Sequence, residues 1–263
     1  MHSCLAFSDL GRSWYLINAT PDVRFQIERM SQLHPGPGIR QSPLEGILLT
    51  DAELDHTIGL LVLREGASLD IYATTAVESA LDSFFPVRTI LSKYANFAWH
   101  SINPLQEFEL FGGRILVRPV CVSDKKPRYA EESQISQGWV LAYYLRDLIT
   151  GGSLFFAPQL DSFTDPVKEL LSESSCVLID GTFWSQDELT ALGISTKSAQ
   201  AMGHLPILGS GGIAESLSGV QCQRKILIHI NNTNPILDAG SEARAYLQEQ
   251  NIEVVSDGLF LEI

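Results

Sequence analysis

The chain has 263 residues, 45% of them hydrophobic and 19% charged, with 18 Lys+Arg against 31 Asp+Glu and a formal net charge of −13. That apolar content excludes a disordered polymer, and the length suits a single domain, 1–263. The acidic balance argues against nucleic acid and anionic membrane surfaces, since affinity for phosphate-rich partners rests largely on Lys and Arg. From the N-terminus, Cys4-Leu5-Ala6-Phe7 and Trp14-Tyr15-Leu16-Ile17 read as strands joined in a hairpin through Asp9-Leu10-Gly11-Arg12. Pro21 suits a first helical turn, with Val23, Ile27 and Met30 at helical spacing. His34-Pro35-Gly36-Pro37-Gly38 reads as a loop. Gly46 to Thr50 is a short strand, Asp51 to His56 a charged loop, and Ile58 to Leu63 a helix. A strand at Leu69 to Ala73 and a helix from Thr75 to Phe85, stopped by Pro86, follow.

The middle is β-rich, with runs at Glu107–Leu110, Arg114–Val117, Trp139–Tyr144 and Leu154–Ala157 divided by Gly112-Gly113 and Gly151-Gly152. Alternation then resumes. Helices are expected near Asp165–Leu171, Gln186–Leu192 and Ala239–Gln250, and strands at Cys176–Ile179, Lys225–Ile228, Ile252–Val255 and Leu259–Ile263. Two β-rich halves with helices between strands favour a layered αββα sandwich over one doubly wound sheet.

Cys4, Cys121, Cys176 and Cys222 are far apart with no C-x-x-C pair, which fits inert buried thiols rather than a disulfide framework or a structural zinc site. Cys121 is the one to watch. No apolar run reaches the roughly 20 residues of a membrane span, and Met1-His2-Ser3-Cys4 does not open like a signal peptide, so the expected location is cytoplasmic.

Three strands end on ionisable groups. Leu48-Leu49-Thr50 runs into Asp51, Glu53, Asp55 and His56, Leu178-Ile179 into Asp180-Gly181-Thr182, and Leu227-Ile228 into His229-Ile230-Asn231-Asn232. Ligands of α/β folds gather beyond the carboxyl ends of strands, so these loops are candidates for one pocket. Each element also has an ordinary structural role: Asp180 as a turn former or N-cap, His229 as a core histidine, Asp55-His56 as a cap. His56, His229 and one carboxylate, Asp55 or Asp180, would supply the 2-His-1-carboxylate set that suits Fe(II). The same side chains would hold Zn(II), which lowers the pKa of bound water toward roughly 7 and would serve a hydrolase. His204, in Met202-Gly203-His204-Leu205-Pro206, is a candidate for acid–base work or substrate contact, with a structural role equally open. Gly209-Ser210-Gly211-Gly212 lacks the Lys-Ser/Thr of a phosphate loop. Asp124 to Tyr129 is a positive spot, either facing the carboxylates of a substrate or forming a solvated turn.

Six blocks taken together resemble a known family: Ile17 to Asp22, Leu49 to Leu60, Leu63 to Gly66, Asp180 to Trp184, Met202 to Pro206 and Ile228 to Leu237. They are similar, and in the same order, to the B proteins of pyrroloquinoline quinone (PQQ) biosynthesis, within the metallo-β-lactamase superfamily. The resemblance implies an α/β four-layer αββα sandwich. It sets Asp51-Ala52-Glu53-Leu54-Asp55-His56 in place of the superfamily's H-x-H-x-D-H, with carboxylates at the first two histidine positions, so one metal is expected rather than two. Asp55, His56, Asp180 and His229 are then the implied metal ligands, with Asp257 of Ser256-Asp257-Gly258 as a further one; Asp51, Glu53 and His204 are the implied catalytic side chains. The implied activity is an Fe(II)-dependent oxygenase that uses dioxygen to hydroxylate the tyrosine moiety of a Glu-Tyr-derived precursor. A zinc hydrolase on the same fold and a non-catalytic carrier of a pathway intermediate are the alternatives. The implied partner is a small peptide- or amino-acid-derived substrate, with no nucleic acid or membrane, and a homodimer is a further expectation. Two departures stand out. The family's first strand and C-x-C-x-x-C zinc motif are expected to be missing, exposing a sheet edge, and Glu53 stands where the family tends to have a neutral amide.

Overall fold

The computed structural model describes residues 3–36, 38, 41–65 and 68–263. The chain's first two residues, Pro37 of the expected loop and Gly66 of the Leu63 to Gly66 block lie outside the described residues. The chain divides into two compact units, one formed by the residues up to 115 with Lys126–Leu141, the other by Leu116–Lys125 with Ala142–Ile263.

In the first unit, β1 (Leu5–Phe7) and β2 (Trp14–Ile17) form the expected antiparallel hairpin, with Leu5 opposite Ile17. The strands β3 (Leu44–Leu48), β4 (Leu69–Ala73) and β5 (Phe97–Ser101) then add in parallel, giving the order β1-β2-β3-β4-β5. Parallel neighbours need crossover connections, and the helices supply them: α1 (Val23–Arg29) between β2 and β3, α2 (Leu54–Thr57) and α3 (Gly59–Val62) between β3 and β4, and α4 (Thr75–Ser83) and α5 (Val87–Leu91) between β4 and β5. All of β2 is buried, which explains its unbroken apolar run. Helix α4 starts where the Thr74 hydroxyl accepts from the Val77 N–H at 3.2 Å, and ends before Pro86. The short strand β6 (Phe108–Leu110) closes this stretch.

The second unit is built on β7 (Ile115–Ser123), β8 (Val140–Asp147), β9 (Ser153–Ala157), β10 (Cys176–Asp180), β11 (Arg224–Ile228) and β12 (Glu253–Val254). In the sheet they follow the order β12-β11-β10-β9-β8-β7, antiparallel at β8–β9 and parallel from β9 to β12. Strands β9 and β10 are buried at every position. Each fully buried apolar side chain there contributes about 1.5–3 kcal/mol. The connections carry α6 (Asp165–Glu173), α7 (Glu188–Ala191), α8 (Ile213–Ser218) and α9 (Glu242–Glu249). Val167, Leu170 and Leu171 put the apolar stripe of α6 inside, and Ser241 caps α9 by accepting from the Arg244 N–H at 3.1 Å.

Several expectations change. Asp55 and His56 lie on helix α2 rather than in a loop, and the helix expected over Ile58–Leu63 is the short α3, which meets α2 at Ile58. Strand β5, which was not anticipated, has mostly exposed side chains, while α8 starts at the end of the glycine cluster, on Gly212. Residues 259–263 form no strand: Gly258 turns the chain at φ +82°, and Phe260 is 63% exposed. None of the four cysteines is in a disulfide, and only Cys176 is fully buried. Among the described residues, no helix is long and apolar enough to cross a membrane.

Candidate metal centre

In the first unit, strand β3 delivers the chain into Thr50-Asp51, both buried. Asp51 is engaged on all sides by its own neighbours. It accepts from the Glu53 N–H at 2.8 Å and the Thr50 hydroxyl at 2.7 Å, and its carboxylate meets His56 Nδ1 at 2.7 and 2.9 Å. Glu53 becomes the N-cap residue of α2, and one turn further on His56 is 1% exposed. His56 Nε2 is turned toward Asp55, with Oδ2 at 3.9 Å. Burial opposes a charged imidazole, but the Asp51 carboxylate outweighs it, aided by Asp55 and Glu53, and His56 is pushed up to about 9. Asp51 moves the opposite way. Burial works to raise it, while the charge and hydrogen bond of His56 and the bonds from Thr50 and Glu53 hold it below the usual carboxylate range.

Two contacts fix where α2 sits. The Ala19 N–H donates to the His56 carbonyl at 2.8 Å, and the Gly59 N–H donates to the Ala19 carbonyl at 2.9 Å. A Cβ at position 59 would run into the backbone of Ala19 and Thr20, so only glycine allows this approach. Asn18, at φ +66°, supports the same corner by accepting from the Thr50 N–H at 2.9 Å, with Thr50 Oγ1 3.0 Å from the same oxygen. The Tyr129 hydroxyl donates to the Ala52 carbonyl, and burial, then Glu53 and Asp51, push its phenol well above its ordinary value. Lys126 donates to the Ser133 carbonyl at 2.6 Å, and in the second unit Lys125 donates to the Ala201 carbonyl at 3.1 Å. These lysines pin backbone rather than forming the solvated turn read from sequence.

In the second unit, Asp180 at the end of β10 is fully buried and accepts four hydrogen bonds. Oδ1 takes the Thr182 N–H at 3.0 Å and the Thr182 hydroxyl at 2.6 Å. Oδ2 takes the Leu160 N–H at 3.1 Å and lies 2.8 Å from His204 Nδ1. His229, just past β11, has its Nδ1 2.8 Å from Thr182 Oγ1 and a left-handed backbone at φ +55°. The His204 and His229 rings stack with centroids 5.5 Å apart, and Phe183 meets His204 edge-on at 5.7 Å. Asn234 ties down the following loop, its amide donating to the Gly181 carbonyl at 2.9 Å and the Thr182 carbonyl at 3.2 Å. Asp257 is exposed in the turn after β12.

Asp180, His204 and His229 each offer a ligand atom within 4.8 Å of the others. A donor set of imidazole and carboxylate without thiolate fits Fe(II) or Zn(II). Asn18, Thr50 and Thr182 are the polar residues that sequence reasoning passed over. All three fall inside the recognised blocks, but a hydroxyl or amide in a motif does not reveal which group it will touch.

The two-sheet α/β architecture is the metallo-β-lactamase fold, and a family model described as Beta-lactamase superfamily domain matches residues 13–230. Coenzyme PQQ synthesis protein B of Pseudomonas fluorescens (strain SBW25) is 38% identical over 264 residues, covering 99% of this chain and 87% of that one. The protein of the same name from Nitrosococcus oceani is 40% identical over 266 residues, with 98% and 86% covered. The chain belongs to the coenzyme PQQ synthesis protein B family. The crystal structure of Zn(2+)-bound PqqB from Methylobacterium extorquens superposes with a TM-score of 0.91 at 30% identity, covering 99% of this chain and 87% of that one. A diphosphatase of the PhnP family, 19% identical with a TM-score of 0.69, shares the fold.

Proposed function

We propose that this chain acts in PQQ biosynthesis as a mononuclear Fe(II)-dependent oxygenase that hydroxylates the tyrosine moiety of a Glu-Tyr-derived precursor. The observation that carries the metal reading is the Asp180–His204–His229 group, in which Asp180 and His229 stand at the ends of two neighbouring parallel strands. His229 and Asp180 are the proposed ligands from the second unit; Asp55 and His56 are proposed from the sequence correspondence with the superfamily motif. When bound, iron with open positions supplies dioxygen activation. The protein's own contribution is orientation and proton handling. Asp51 fixes the His56 ring through Nδ1, Asp180 fixes the His204 ring through Nδ1, and His204 is the group proposed to move a proton at the substrate. Glu53 and Asp51 complete the proposed catalytic set by holding the α2 corner.

Purified protein reconstituted anaerobically with Fe(II) is expected to bind one equivalent, and His56→Ala and His229→Ala are each expected to abolish this. Retention of metal by both variants would sink the assignment. Oxygen uptake with a Glu-Tyr-containing peptide should require iron and fail with zinc. The second reading is a zinc hydrolase, favoured by the Zn(2+)-bound state of the M. extorquens PqqB structure. Turnover of phosphodiesters or thioesters with zinc, and no oxygen consumption with iron, would select it.

A further inference from the structure

We infer that Thr182 is a positioning residue that sets the ring tautomer of His229, making Nε2 the nitrogen offered to a metal. The Thr182 hydroxyl has one hydrogen and three neighbours in bonding range: Asp180 Oδ1 at 2.6 Å, His229 Nδ1 at 2.8 Å and the His229 carbonyl oxygen at 2.9 Å. The carboxylate oxygen is the nearest of these and the strongest acceptor, since O–H to carboxylate bonds are short and charge-assisted. With its hydrogen committed to Asp180, Thr182 Oγ1 is left as an acceptor toward the imidazole. His229 must therefore donate from Nδ1, and its lone pair lies on Nε2.

The relay joins two strand ends. Asp180 closes β10, Thr182 follows two residues later, and His229 leaves β11, whose Ile228 is the register partner of Asp180. The Asn231 N–H donates to the Thr182 carbonyl at 3.2 Å, and the Gly181 N–H donates to the Ile228 carbonyl at 2.8 Å, so the two turns are laced together. Asp180 holds His204 directly through Oδ2 while it holds His229 through the threonine. One carboxylate thus orients two imidazoles, and hydroxyl loss should affect only one of them.

The functional meaning rests on the metal reading above, but the tautomer does not. The test is ¹⁵N NMR of the histidine rings in metal-free protein at about pH 8, with His229 assigned by its loss in His229→Gln, together with Zn(II) titration of wild type, Thr182→Ser and Thr182→Val. We expect wild-type His229 to carry its proton on Nδ1, Thr182→Ser to preserve this, and Thr182→Val to mix the tautomers and weaken Zn(II) binding by roughly 10–100-fold, the usual cost of losing such a partner. His204 should keep its wild-type signature in all three. A wild-type proton on Nε2, or a Thr182→Val protein with unchanged tautomer and Zn(II) affinity, overturns the inference. If wild type takes up no Zn(II) or Fe(II), the metal reading fails by itself, and the wild-type ring signature still decides the relay.

Discussion

A buried ion pair is a poor source of net stability but an expensive thing to break, and Asp51 with His56 is such a pair. Asp51→Ala would leave a buried imidazole without its counter-charge and remove the acceptor of the Glu53 N–H. We expect a loss of about 3–5 kcal/mol in urea unfolding. His56→Phe combined with Asp51→Leu should cost much less than the single change, because no charge is then stranded. At this scale the sequence showed where ionisable groups cluster and was silent about how each is held. The run from Asp51 to His56 stands out as charge beside an apolar strand, but it does not say that Asp51 spends its carboxylate on Thr50, Glu53 and His56. Thr182 was harder still, because its role depends on His229, a contact 47 residues away in the chain.

At the scale of elements, the corner between β2, β3 and α2 is held by close approach. Gly59→Ala would push a methyl into the Ala19 and Thr20 backbone, which cannot swing aside as a side-chain tip would. We expect a loss of about 1–3 kcal/mol, with a matching fall in metal affinity because α2 carries His56. Asn18→Ala should cost about 1–3 kcal/mol as well, since it strands the buried Thr50 N–H. The β11–β12 pairing offers a pH test. Arg224 donates to Glu253 at 2.6 and 2.8 Å, and this bond, working against partial burial, holds the Glu253 carboxyl below its ordinary value. A depressed folded-state carboxyl contributes stability above its unfolded pKa and loses it as pH falls through the folded one. Both side chains are substantially exposed, so Glu253→Gln should cost only about 0.2–1 kcal/mol at pH 7. The gap to wild type should close toward pH 3. Elements buried on both faces, such as β2, β9 and β10, were legible as apolar runs, whereas β5, with its largely exposed side chains, was not.

For the whole molecule, the order of strand, acidic turn and helix was enough to anticipate two sheets with helices between strands, and the family blocks narrowed that to the metallo-β-lactamase fold. What the order could not supply was how each turn is braced, since that depends on hydrogen bonds between residues distant in sequence. A metal bound by the folded state alone should raise the stability of the whole chain. At a hundredfold excess over Kd the gain is about 2.7 kcal/mol. For a chain of this size that is roughly 5–10 °C in melting temperature. Scanning calorimetry of Fe(II)- or Zn(II)-loaded protein against protein stripped with chelator is the measurement, and superposed transitions would speak against a metal held by the native state.

The left-handed backbone of His229 changes how its mutants should be interpreted. An alanine there loses the imidazole and also inherits a conformation that alanine disfavours, so lost metal and a loosened turn would arrive together in one phenotype. Asparagine tolerates that conformation far better. A His229→Asn protein that keeps the wild-type melting temperature of the metal-free state and still binds no metal would separate the chemistry of the ring from the shape of the chain that carries it.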